Sequence, residues 1–142
     1  TIFDAKPGQM FVIRNVANLV PPFRAGDGLQ GTSTAIEFAV RQLKVRHMMV
    51  LGHARCGGVA ASLGEPPRDA VFIQNWVSLL DVAKTRVGGR GDLQSAVEHE
   101  SIRVSLERLA SFPFVATAVK AGSPILTFDW MKKWMMAMKA AG

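Results

Sequence analysis

The chain has 142 residues, of which 49% are hydrophobic and 20% charged, a balance typical of a globular domain and not of a disordered segment. We expect a single domain over residues 1–142, long enough to bury a substantial core. The net charge of +6 is spread along the sequence, so we expect a lightly basic solvated surface and no nucleic-acid partner. The apolar runs are far shorter than the ~20 residues of a membrane span.

The chain contains one cysteine, Cys56, which excludes a disulfide within the chain. No charged and then apolar segment opens the sequence as a secretory signal would. Because nothing indicates an oxidising compartment, we expect a cytoplasmic protein.

Apolar runs and one helical pattern organise the first third of the chain. Residues 10–14 (MFVIR) are predicted to form a buried strand. Thr34 and Glu37 match a capping box at the start of an amphipathic helix over residues 34–44. Residues 47–51 form a second predicted strand, which ends at a glycine.

Helical patterns dominate the remainder. Apolar residues at helical spacing predict a helix over residues 70–87, ended by two glycines, and another around residues 102–109. A short helix is expected at residues 114–120 and a third strand at residues 125–128. Helices that alternate with apolar strands predict an α/β domain with a mainly parallel β-sheet flanked by helices.

The segment GHARCGG (residues 52–58) follows the second predicted strand directly. In an α/β sheet, ligands bind where strands end at their carboxyl edge. His53 and Cys56 offer an imidazole nitrogen and a thiolate sulfur, a pair that suits zinc, and Arg55 would favour the thiolate. The glycines at 57–58 would allow a small molecule to approach the backbone closely. The alternative is a buried cysteine packed as a small hydrophobe beside a hydrogen-bonded histidine.

The longer stretch EFAVRQLKVRHMMVLGHARCGG, which begins at Glu37, resembles the second signature of the β-class carbonic anhydrases. That signature has an acid-aromatic-alanine helix, an apolar strand, glycine-histidine, two variable residues and cysteine-glycine. Residues 14–18 (RNVAN) resemble the arginine-asparagine stretch on the family's second strand. The resemblance covers about residues 1–126, and the spacing of every element of the signature matches.

The resemblance implies that His53 and Cys56 are two of three protein ligands to a catalytic Zn²⁺, and that the amide of Gly57 contacts substrate. It implies reversible hydration of carbon dioxide to bicarbonate, with zinc lowering the pKa of its bound water to about 7. It also implies a homodimer or a higher homo-oligomer. Four further residues are expected to hold strand and loop geometry: Arg14, Asn15, Asn18 and Glu37.

The family's third ligand is a cysteine in a Cys-x-Asp-Ser-Arg motif, whose aspartate and arginine form a dyad at the metal. The sequence lacks this motif and the first inner strand that carries it, so the catalytic residues are unknown. His47 should lie ~20 Å from His53 along the strand, and His99 sits in a helix among charges. Asp4 and Asp27 remain open as substitutes. We therefore expect the 142-residue chain alone to be inactive and its intact parent to be active.

Two functions other than carbon dioxide hydration are also considered for this chain. A carbonic-anhydrase-like module that has lost catalysis would serve assembly or binding through its carboxyl end, where residues 130–138 carry tryptophan and methionine on one helical face. That face suits a membrane surface or a partner, or packing against this protein or its dimer mate. Cys56 as a redox or phosphatase nucleophile is disfavoured, because no resolving cysteine and no suitably spaced phosphate-binding loop exist.

Overall fold

The computed structural model describes residues 3–26, 28–65, 69–89, 91–122 and the backbone of residues 125–126. In chain order the helices and strands are α1 (Gly31–Glu37), β1 (Met48–Met49), α2 (Gly57–Leu63), α3 (Ile73–Val77), α4 (Asp81–Val87), α5 (Leu93–Ser111), α6 (Pro113–Lys120) and β2 (Ile125–Leu126). Short 3₁₀ turns lie at Val16–Asn18 and Ser78–Leu80, and a π-helical turn, Phe38–Gln42, extends α1.

The two described strands pair in parallel. Met48 lies opposite Ile125, and Met49 lies opposite Leu126. The five helices α2 to α6 lie between these two strands in the chain, because a parallel pair requires a long crossover connection. The predicted α/β class with a parallel sheet is confirmed, and so are the strands expected at residues 47–51 and 125–128, each over two residues within the described part.

The strand expected at residues 10–14 is wrong. This segment has no regular secondary structure, and its apolar side chains are exposed, from 38% for Ile13 to 64% for Val12. An extended segment becomes a strand only when a neighbour pairs with its backbone groups. The described sheet consists of β1 and β2 alone, so it offers residues 10–14 no such neighbour.

The predicted helix at residues 34–44 exists, but it begins one turn earlier and has no capping box. The amide of Thr34 already donates to the carbonyl of Gln30 at 2.8 Å, as in the interior of a helix. Glu37 instead pairs with Arg41 one turn later, with 3.2 Å between Oε1 and Nε. Because residues 31–33 join the helix, Thr34 is not free to act as an N-cap.

The helices predicted in the second half of the chain are confirmed. Residues 73–87 run through α3, a 3₁₀ turn and α4, and the chain leaves α4 at Gly88, whose φ of 65° is left-handed. Asp92 caps α5 by accepting a hydrogen bond from the amide of Ser95 at 3.2 Å. Pro113 opens α6, where its fixed φ and missing amide hydrogen cost nothing.

Two apolar clusters form the core, and α5 contributes to both. The first packs α5 against α2, α4 and the turn at residues 16–18; its buried members are Ala17, Leu19, Cys56, Val59, Val77, Leu80, Ala83, Val97 and Val104. The second joins the carboxyl end of α5 to α1 and α6; its buried members are Val20, Ile36, Leu109, Phe112 and Val115. Helix α5 therefore links the region that follows β1 to the rest of the molecule.

None of the helices in the described ranges has the length and apolar character needed to cross a bilayer. The tryptophan- and methionine-rich residues 130–138 and Asp27 lie outside the described residues.

Candidate active site

The segment that carries the predicted ligands joins β1 to α2. His53 is exposed, and its Nδ1 lies 3.1 Å from the carbonyl oxygen of Ala54. When Nδ1 carries the proton, this contact is a hydrogen bond that leaves Nε2 with its lone pair, the arrangement in which a histidine binds metal. Arg55 has a left-handed φ of 55°, which is unfavourable for a residue with a side chain.

Cys56 lies in a different environment from His53. Its side chain is buried, at 4% exposure, in the first apolar cluster, and the residue forms the N-cap of α2. Its carbonyl accepts the first bond of that helix from Ala60 at 3.0 Å. This burial is what the packing alternative expects of the cysteine, and the ligand role of His53 and Cys56 stays a prediction.

Glu98, a residue that the sequence did not single out, reaches this segment from α5. It is 5% exposed, and its Oε1 accepts a hydrogen bond from the amide of Cys56 at 2.7 Å. The same oxygen accepts from Nε2 of Gln94 at 3.1 Å. A buried carboxylate is costly unless it is hydrogen-bonded, so these donors account for its presence in the core.

Two glycines allow the segment to pack closely on its neighbours, and a third faces open space. A Cβ added at Gly52 would lie 2.6 Å from Cδ1 of Ile102 on α5. A Cβ at Gly58 would lie 2.7 Å from Cβ of Ala17 and 2.9 Å from its backbone nitrogen. A Cβ at Gly57 would meet nothing within 4 Å, so a small molecule can approach this predicted substrate contact.

The turn beneath Gly58 is fixed by side-chain hydrogen bonds. Asn15 bonds both backbone groups of Leu19 at 2.8 Å, accepting through Oδ1 and donating through Nδ2. Nε1 of Trp76 donates to the carbonyl of Val16 at 2.8 Å. These bonds hold Ala17, which has a left-handed φ of 61°, against the segment. The contacts of Asn15 agree with the expected role in loop geometry, whereas Arg14 and Glu37 are exposed.

The fit of this site to zinc is incomplete. Within the described ranges, no three residues among His, Cys, Asp and Glu come together in a way that could hold a metal ion. His53 and Cys56 are therefore not completed by Asp4, His47 or His99. Imidazole and thiolate suit zinc chemically, but a catalytic zinc site takes three protein ligands. The described residues therefore do not by themselves complete a zinc site.

Charged groups on α4 and α5 form a separate network. Arg86 donates hydrogen bonds to Glu107 and to Glu100, and these bonds, the one to Glu107 first, raise the pKa of Arg86 above its ordinary value. In return, the hydrogen bond from Arg86 lowers the pKa of Glu107. Burial, and then the charge of Arg86, lowers the pKa of Arg108, whose guanidinium donates to two backbone carbonyls. These charged groups link α4 to α5, and none of them belongs to a residue that is predicted to bind metal.

A family model described as carbonic anhydrase matches residues 1–135. The chain belongs to the β-class carbonic anhydrase family. The resemblance found in the sequence is thereby confirmed, together with the fold that it implied.

Individual relatives support the same assignment. The chain is 37% identical over 130 residues to a protein named beta carbonic anhydrase 5, chloroplastic, from Arabidopsis thaliana, a match that covers 86% of this chain and 42% of that protein. The structure of the β-carbonic anhydrase CcaA matches with a TM-score of 0.77 and 26% identity, over 87% of this chain and 64% of that one.

Fungal structures match similarly. The β-carbonic anhydrase CafA of Aspergillus fumigatus gives a TM-score of 0.75 and 27% identity, over 87% of this chain and 60% of that one. A structure from a study of two tetrameric β-carbonic anhydrases from Sordaria macrospora gives 0.71 and 27%, over 87% and 64%. The chain thus spans less than two thirds of the length of each of these relatives.

Proposed function

We propose that the intact protein catalyses the reversible hydration of carbon dioxide to bicarbonate, with Zn²⁺ held in part by His53 and Cys56. The observation that carries this proposal is the match of the chain to the carbonic anhydrase family over residues 1–135. The site supports it, because residues 52–58, the histidine-cysteine segment, follow a parallel strand and are packed between α5 and the turn at residues 16–18.

Each group of the segment has a proposed part. When bound, zinc supplies the lowering of a water pKa towards neutrality that makes carbon dioxide hydration fast. His53 would offer Nε2 while Nδ1 donates to the carbonyl of Ala54. The amide of Gly57 would donate to a substrate oxygen; Gly57 is exposed, and an added Cβ there would meet nothing within 4 Å. The 142 residues lack the Cys-x-Asp-Ser-Arg motif that carries the third ligand and the aspartate-arginine dyad in the family, so we propose that they are inactive alone.

We further propose that the protein is a homo-oligomer and that it works in the cytoplasm. The Sordaria macrospora relatives are described as tetrameric. In this chain Phe11 packs on Phe38, with 5.9 Å between ring centroids, yet both residues are more than 40% exposed. Contiguous exposed apolar side chains indicate an interaction surface. Light scattering on the intact protein should give a mass of at least two chains, and a monomer would contradict this proposal.

The decisive experiment is His53→Ala in the intact protein. We expect about one zinc per chain in the wild type by metal analysis, and loss of both metal and carbon dioxide hydration in the variant. His47→Ala is the matched control, because His47 is an exposed histidine directly before β1 and is not expected to bind metal. Full zinc occupancy in His53→Ala would refute the assignment of this ligand.

A second candidate is a non-catalytic module with the same fold, which serves assembly or binding. It is favoured by the incomplete ligand set within the described residues and by the burial of Cys56 in the core. The gene sequence discriminates between the two. A Cys-x-Asp-Ser-Arg stretch encoded before Thr1 supports the enzyme, and a start codon directly before Thr1 supports the module.

A further inference from the structure

Helix α5 contacts the histidine-cysteine segment at Gly52 and at Cys56, through two residues that lie one helical turn apart. Ile102 fills the space beside Gly52, where an added Cβ would lie 2.6 Å from its Cδ1. Glu98 accepts the amide of Cys56 at 2.7 Å. Residues at i and i+4 lie on the same face of a helix, so a single face of α5 contacts the segment at both Gly52 and Cys56.

The hydrogen bond from the Cys56 amide to Glu98 lies directly after the strained backbone of Arg55. Arg55, directly before Cys56, has a left-handed backbone that residues with a side chain rarely adopt. Cys56 is the N-cap of α2, and its side chain makes no capping hydrogen bond. A fixed acceptor on α5 holds the Cys56 amide in place and opposes relaxation of the backbone at Arg55.

We propose that Glu98 is a positioning residue, whose buried carboxylate holds the Cys56 amide and so sets the position of the Cys56 thiol at the start of α2. Its consequence for metal binding rests on the function proposed above. The positioning itself does not, because it concerns a hydrogen bond between two residues of this chain. Glu98 acts through Cys56 and is not a catalytic residue.

The test uses the intact protein without metal and compares three variants by the hydrogen exchange of the Cys56 amide. Glu98→Leu removes the acceptor at similar size, Glu98→Gln keeps an acceptor oxygen, and Ser105→Ala is the matched control. Ser105 is a fully buried acceptor on the same helix, but it bonds the amide of Val20 at 3.2 Å instead of Cys56.

We expect Glu98→Leu to speed exchange at Cys56 by about tenfold or more, as the loss of a hydrogen bond to a charged group implies. Glu98→Gln should stay within about threefold of the wild type, and Ser105→Ala should leave Cys56 unchanged. The Cys56 amide proton resonance should also move in Glu98→Gln, because a carboxamide replaces the carboxylate, and should not move in Ser105→Ala. This second readout decides the matter if Glu98→Leu fails to fold.

Unchanged exchange in a folded Glu98→Leu, or an unmoved Cys56 resonance in Glu98→Gln, would overturn the proposal. Zinc titration gives the functional consequence: we expect about tenfold or more weaker binding in Glu98→Leu and near wild-type binding in Glu98→Gln. If the wild type binds no zinc, the proposed function fails, while the exchange data still decide the role of Glu98.

Discussion

Replacing Gly58 with alanine tests whether the histidine-cysteine segment depends on direct contact with the turn at residues 16–18. The new Cβ would lie 2.7 Å from Cβ of Ala17, 2.9 Å from its backbone nitrogen and 2.9 Å from Cγ1 of Val16. The turn cannot move away freely, because Ala17 is buried and its neighbour Val16 accepts a hydrogen bond from Trp76. We therefore expect Gly58→Ala to strain both the turn and the first turn of α2.

The magnitude follows from two opposing terms. Overpacking at a site that cannot relax costs about 1–3 kcal/mol. Alanine gains about 0.5–1 kcal/mol over glycine within a helix. Gly57→Ala is the matched control, since Gly57 belongs to the same helix and its added Cβ meets nothing within 4 Å. The helix term is common to both variants, so the difference in unfolding free energy between them isolates the clash at about 1–3 kcal/mol.

Urea unfolding of the intact protein measures this difference. With a slope of about 2 kcal/mol per molar, the midpoint of Gly58→Ala should fall below that of Gly57→Ala by on the order of 1 M. Gly57→Ala should unfold at or slightly above the wild-type midpoint. Equal midpoints for the two variants would refute the claim that Gly58 is required for close packing on the turn.

Two further predictions concern the core and the charged network. Phe112→Ala should destabilise the protein by about 3–5 kcal/mol, because Phe112 is 1% exposed, whereas Phe72→Ala, at a side chain 84% exposed, should cost less than about 0.5 kcal/mol; equal midpoints in urea would contradict this assignment of the core. Arg86→Ala removes the partner that lowers the pKa of Glu107, so the wild type should be the more stable at neutral pH. A group with a lowered folded-state pKa stabilises above its unfolded value, about 4.3 for glutamate, and that stability is lost as pH falls through the folded value. Thermal unfolding should therefore show the two proteins converging in acid, and a gap that widens towards low pH would contradict this sign.

The sequence predicts those elements that local pattern determines. The helix around residues 102–109 was predicted from apolar residues at helical spacing, and α5 includes it. The strand at residues 10–14 was predicted from a short apolar run and is wrong, because a strand also needs a neighbour to pair with. The capping box at Thr34 failed for a related reason: the pattern was present, but residues 31–33 extended the helix past it. Local signals describe what a segment can form, and its neighbours decide what it does form.

The candidate site shows the same division. The spacing of His53 and Cys56, within a longer family signature, indicated the segment and its place after a strand. It did not indicate that His53 would be exposed while Cys56 packed in the core, since that depends on α5 and on the turn at residues 16–18. It also did not show which of Gly57 and Gly58 packs and which stays open. These are properties of contacts between distant parts of the chain.

Glu98 gives the clearest case of a residue that sequence reading passes over. In isolation a glutamate between valine and histidine suggests a solvated helix face, since this residue type is rarely buried without a partner. Yet residues 98, 102, 105 and 109 follow a spacing of four, three and four, and all four are buried in α5. A charged residue in register with the core stripe of a helix needs a buried partner, and here that partner is the amide of Cys56. The register was readable from the sequence, whereas the partner, 42 residues away, required the fold.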